Sequence, residues 1–93
     1  MPNYELIYII SPEVANDNLN EVVNKVGEFV KKVDGNVTEV NQWGRKKLTY
    51  PIRKFSEGNY VLARLEMEPQ SVKGLDADLQ FDSEILRHLI VRS

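Results

Sequence analysis

The sequence predicts an α+β domain of the ferredoxin-like, split βαβ kind: a four-stranded antiparallel sheet with two helices on one face, in the order βαββαβ. Three observations predict it. Stretches with apolar residues at every second position lie near both ends and in the middle of the chain. Two segments with apolar residues three and four apart separate them. Each such segment falls between two strands, so right-handed crossovers put strands one and three at the centre of the sheet. The 93 residues are expected to form one domain, 1–93, large enough to bury a core of its own.

The first strand runs from Asn3 to Ile10. Tyr4, Leu6, Tyr8 and Ile10 share one face, while Glu5, Ile7 and Ile9 share the other. Apolar residues on both sides suit a central strand, and Ser11-Pro12 ends it. A helix follows, with Leu19, Val23, Val26, Val30 and Val33 as its inward stripe, widened by Val22 and Phe29. Asn16, Asp17 or Asn18 can cap its start, Lys31 and Lys32 suit its negative end, and Gly35 supplies a left-handed stop.

A long second strand is expected from Val37 to Ile52, with Val40, Leu48, Tyr50 and Ile52 turned inward. Gly44 is a bulge or bend within it, and Pro51 places it at a sheet edge. Phe55-Ser56-Glu57-Gly58 makes a turn. The third strand covers Asn59 to Met67, with Val61, Ala63, Leu65 and Met67 facing one way and Tyr60 and Leu62 the other. Pro69 opens a short second helix whose Val72, Leu75 and Leu79 point inward. Ile85 to Arg92 is the fourth strand, with its inward parity left open. The sheet face bearing Ile7, Ile9, Tyr60 and Leu62 is uncovered in this arrangement, which suits a protein partner.

Composition narrows the function. Apolar residues make up 42% and charged residues 28%, ordinary for a soluble globular domain. There is no cysteine, so disulfides and thiolate metal sites are excluded. No apolar run approaches a bilayer span, and no basic leader precedes an apolar core, so a cytoplasmic location and no membrane contact are expected. His88 is the only histidine, and a strand histidine packed or half exposed is its expected role. No serine sits in a nucleophile elbow and no glycine-rich phosphate loop is present. Asp76 and Asp78 are two apart on a helix, face different ways, and read as solubility charges. An enzyme is not expected, nor a cofactor, a metal or a small-molecule substrate.

Charge carries the positive information. Net charge is −2, yet residues 43–54, Trp43-Gly44-Arg45-Lys46-Lys47-Leu48-Thr49-Tyr50-Pro51-Ile52-Arg53-Lys54, hold five cations and no acid. From Glu66 to Glu84 there are six acids against Lys73 alone. Such a dipolar distribution steers a polyanion to the basic end even when the total is negative. Arg45, Lys46, Lys47, Arg53 and Lys54 are therefore the candidate polyanion ligands. Tyr50 reads as a core residue with its hydroxyl at the surface, or as a platform for an unpaired base. Trp43 reads equally as a lid over the sheet edge or as a partner contact.

The same block, Trp43-Gly44-Arg45-Lys46-Lys47-Leu48-Thr49-Tyr50-Pro51-Ile52, resembles the signature of the sixth-protein family of the bacterial small ribosomal subunit. Tyr4-Glu5, Gly58 to Leu62 and Leu86-Arg87-His88-Leu89-Ile90-Val91 extend the resemblance over nearly the whole chain. It implies a structural, non-catalytic protein that binds the central domain of small-subunit ribosomal RNA together with the eighteenth small-subunit protein. Carried over, it makes Arg45, Lys46, Lys47, Arg53 and Lys54 RNA-facing, with Trp43 beside them and Arg87 and Arg92 as weaker candidates. Thr49 stands where relatives have alanine or serine. Pro2 and Asn3 replace basic residues, which puts an N-terminal RNA contact in doubt. No contact through the extended tail of many relatives is expected after Ser93. A small-molecule-binding regulatory module of ferredoxin-like fold is the alternative, and it would not need the cationic run. An RNA-recognition-motif module would need stacking aromatics on its central strands, where only Tyr60 qualifies.

Overall fold

The computed structural model describes Met1–Ser93. Its elements are β1 (Asn3–Ile10), α1 (Leu19–Lys32), β2 (Asn36–Ile52), β3 (Phe55–Glu66), α2 (Val72–Phe81) and β4 (Ile85–Arg92). The sheet order is β2-β3-β1-β4 and all three pairings are antiparallel. This is the expected βαββαβ sheet, with β1 and β3 central and Pro51 on an edge strand.

One face of the sheet supplies the core. Tyr4, Leu6, Tyr8 and Ile10 of β1 and Val61, Ala63 and Leu65 of β3 are buried. They meet Val22, Val26 and Val30 of α1 and Leu75 and Leu79 of α2 in a single cluster. The centre of the α1 stripe is thus Val22-Val26-Val30, with Leu19, Val23, Phe29 and Val33 packed around it. Burying a side chain of this kind contributes roughly 1.5–3 kcal/mol, which outweighs the modest helix propensity of valine.

Four expectations are corrected. No side chain of Asn16, Asp17 or Asn18 caps α1; these three residues form a 3-10 turn leading into the helix. The left-handed step after α1 falls on Asp34, φ 64, not on Gly35. Aspartate is among the few residues that tolerate this region, so glycine is not required there. The β2–β3 turn is Arg53-Lys54, and Phe55 to Gly58 already belong to β3. Asp76 and Asp78 are not merely solubility charges. Asp76 Oδ1 lies 2.6 Å from His88 Nε2, joining α2 to β4, and Asp78 Oδ2 lies 3.5 Å from Lys32 Nζ on α1.

The parity of β4 follows from its register. Leu6 pairs with Ile90 and Tyr8 with His88, so these two face the helices. Ile7 pairs with Leu89 and Ile9 with Arg87, so Leu89 and Arg87 lie on the uncovered face.

Candidate nucleic-acid interface

Gly44 decides where the basic block points. Gln42 pairs with Val61 and Gly44 with Tyr60, so Trp43 is an extra residue and the register shifts there. Gly44 has φ +86, a conformation that costs a residue with a side chain but not glycine. An extra residue inverts the facing of everything beyond it, because side chains alternate with period two. Val40, opposite Ala63, faces the helices; Lys46, opposite Gly58, faces the uncovered side.

The inversion corrects the inward placement of Leu48, Tyr50 and Ile52. They line a cleft on the uncovered face with Ile9, Tyr60 and Arg87. Tyr50 is 69% exposed and is no part of the core. The signal was available, since a glycine read as a bulge carries a parity change with it. The sequence-level reading kept one parity through Gly44 and missed this.

The cations divide into tethered and free. Arg45 Nη1 donates to Glu57 Oε1 at 3.2 Å and Nη2 to Pro12 O at 3.1 Å, pinning the hairpin to the loop after β1. Arg53, at φ 58, donates through Nη1 to Ser83 O at 3.3 Å, tying the hairpin turn to the segment before β4. Lys46, Lys47, Lys54, Arg87 and Arg92 have no carboxylate within ion-pair distance. Lys46 Nζ lies 5.3 Å from the centroid of Trp43, itself 46% exposed, close enough for a cation–π contact. The bulge therefore presents Trp43 and Lys46 as a unit. Arg87 joins the uncovered face, whereas Arg92 pairs with Tyr4 on the opposite parity at the far end of the sheet. The structure does not bring Arg87 and Arg92 together.

The uncovered face is apolar in the middle. Ile7, Ile9, Tyr60 and Leu62 adjoin one another across β1 and β3, and Leu89 and Val91 extend the surface onto β4. Leu89 and Val91 are exposed, and neither was selected from sequence because the parity of β4 was open. At the end of this face away from the hairpin turn, Arg64 bridges Glu5 and Glu39, neutralising its own charge.

Nothing in the arrangement supports bond chemistry. No three histidine, aspartate or glutamate side chains converge as metal ligands do. No helix is long and apolar enough to cross a membrane. The two shifted acid–base groups are structural. Burial pushes the Tyr8 phenol up. Burial alone would lower the Lys25 ammonium, but hydrogen bonds and charge from Asp82 and Glu84 outweigh it and raise it.

A split βαβ sheet with one uncovered apolar face and a cationic edge hairpin defines a non-catalytic assembly protein. The family model for ribosomal protein S6 matches residues 3–92, and the chain belongs to that family. It is 41% identical over 91 residues to small ribosomal subunit protein bS6 of Clostridioides difficile, covering 98% of each chain. It is 37% identical over 92 residues to bS6 of Desulforamulus reducens, covering 99% of this chain and 97% of that one. The crystal structure of 30S ribosomal protein S6 from Thermotoga maritima superposes with a TM-score of 0.92 at 28% identity, over 99% of this chain and 87% of that one. The chain is a structural protein of the small ribosomal subunit and not an enzyme. This displaces the small-molecule regulatory alternative.

Proposed function

We propose that the chain, acting as one domain over 1–93, binds the central domain of small-subunit ribosomal RNA together with the eighteenth small-subunit protein, on the bacterial ribosome in the cytoplasm. The observation that carries the RNA half is the cluster of unneutralised cations on one edge hairpin, Lys46, Lys47 and Lys54, beside exposed Trp43. Lysines attract phosphates by releasing counterions, and an edge hairpin projecting from the sheet brings them to an RNA backbone without disturbing the core. Arg87 adds a planar donor on the uncovered face, and Arg92 stands apart as a second-rank contact. Arg45 and Arg53 act first as tethers that hold the hairpin at its angle.

The uncovered face, Ile7, Ile9, Tyr60 and Leu62 with Leu89 and Val91, supports the protein half. A contiguous apolar surface rimmed by charge suits a protein partner. Binding of a central-domain RNA fragment, with and without the eighteenth protein and across a salt series, tests both halves. Tighter binding with the partner present, and affinity falling steeply with salt, are the expected results. Equal, salt-independent affinity in both conditions would sink the proposal.

A further inference from the structure

The hairpin end of the uncovered face has a chemistry that differs from the rest of it. Tyr60, Ile9 and Arg87 stand side by side across β3, β1 and β4, because Ile9 pairs with both of the others. The bulge turns Leu48, Tyr50 and Ile52 toward the same row, and the hairpin bends over it to make a cleft. The hydrogen bond from Arg53 to Ser83 O holds the hairpin turn near the start of β4. Beneath the row, Gly58 lets Ile9 lie where a Cβ would otherwise be.

Two phenol rings and a guanidinium thus meet over aliphatic walls, with no carboxylate among the lining residues. Arg87 has no ion pair or side-chain hydrogen bond within the chain, and Tyr50 contributes its ring to no core. The middle of the face, by contrast, offers aliphatic groups alone. A protein side chain supplies either a flat apolar ring or a negative charge. A nucleotide supplies both, at a fixed short separation. Lys46, on the same face of the neighbouring strand, adds to the positive field at this end.

We infer that this cleft takes one unpaired nucleotide of the RNA, its base against Tyr50 and Tyr60 and its phosphate on Arg87. The inference rests on the reading above that the hairpin faces RNA. It divides the uncovered face into a nucleotide site at the hairpin end and a protein surface around Ile7, Leu62, Leu89 and Val91. Base–aromatic stacking is worth on the order of 1–3 kcal/mol, so loss of one platform reads as a roughly 5- to 150-fold change in affinity.

The test is equilibrium binding of the full chain to the central-domain RNA fragment with the eighteenth protein present. Tyr50→Ala is expected to weaken binding about ten-fold with an unchanged salt slope, while Tyr50→Phe, which keeps the ring, binds nearly as the parent does. Arg87→Gln is expected to weaken binding and to reduce the salt slope by about one. Melting temperatures should stay level for Tyr50→Ala, since that side chain is exposed. Parent-like affinity for both Tyr50→Ala and Arg87→Gln overturns the nucleotide site. So does a Tyr50→Ala variant that loses the eighteenth protein in a titration without RNA, because the cleft is then protein surface. If replacing Lys46, Lys47 and Lys54 weakens RNA binding while the two cleft variants do not, the cleft fails and the hairpin reading stands. If the parent does not bind the RNA, both fail.

Discussion

Lys25 Nζ lies 2.7 Å from Asp82 Oδ2 and 2.5 Å from Glu84 Oε1, so one ammonium on α1 holds both acids of the turn between α2 and β4. The Asp82 side chain is only 9% exposed, and its Oδ1 accepts the Glu84 backbone N–H at 2.9 Å. Without the cation, a nearly buried carboxylate would face a second one. Lys25→Met is expected to destabilise by about 1–2 kcal/mol, more than an exposed pair contributes. Urea unfolding measures it, and the same change in an Asp82→Asn background should cost distinctly less. Equal losses in both backgrounds would show that the three groups are not coupled.

Alkaline pH should weaken the fold. The Tyr8 phenol is raised by burial above its ordinary value of 10.0, so the folded chain keeps a proton that the unfolded chain releases. The stabilisation is complete below pH 10.0 and is lost as pH rises toward the folded value. Lys25, raised above 10.5, acts in the same direction from a slightly higher pH. The urea midpoint should therefore fall steadily above about pH 10. Tyr8→Phe, whose hydroxyl has no hydrogen-bond partner within the chain, should remove much of that slope at little cost near neutrality. An unchanged slope in Tyr8→Phe would place the effect elsewhere.

Gly58→Ala should be far more damaging than an exposed strand substitution. A Cβ there would overlap Ile9 Cγ2 and come within 3.2 Å of the Ile10 carbonyl oxygen. Ile9 branches at Cβ and cannot swing its methyl away freely, so either its rotamer or the β1–β3 pairing must give. A loss of about 1–3 kcal/mol is expected, read by thermal or urea unfolding. A loss below about 0.5 kcal/mol would mean the strands separate at little cost.

Cations in the hairpin should separate into two classes. Replacing Lys46, Lys47 and Lys54 together by alanine should leave the melting temperature nearly unchanged, as expected for exposed residues without acidic partners. It should reduce the salt slope of RNA binding by up to about one for each lysine that meets a phosphate. Arg45→Ala should instead lower stability modestly, by roughly 0.5–1 kcal/mol, because it frees Glu57 and the Pro12 carbonyl from one donor. Circular-dichroism melts beside filter-binding isotherms would distinguish the classes.

The elements that sequence located well are those whose period is unbroken. Tyr4-Leu6-Tyr8-Ile10 and Val61-Ala63-Leu65 alternate cleanly, and the structure buries each of them. The valines of α1 recur at helical spacing and pack as expected. What sequence misjudged lies beyond an irregularity. One extra residue at Trp43 inverted Leu48, Tyr50 and Ile52, and no local propensity records such an inversion. Arg45 and Arg53 looked like the other cations because their acceptors, Pro12 O and Ser83 O, are backbone groups remote in sequence. The parity of β4 depended on pairing with β1, a register that only the assembled sheet defines.

The central position of β1 has a temporal consequence during synthesis. Its first neighbour, β3, is complete only at Glu66, and its second, β4, only at Arg92. As the ribosome releases the chain from its N-terminus, Tyr4, Leu6, Tyr8 and Ile10 emerge long before either flank exists. Until the last strand clears the exit tunnel, β1 remains an open edge and the sheet lacks a quarter of its strands. A terminal segment of eight residues thus decides when this protein, itself a part of the translation machinery, can finish folding.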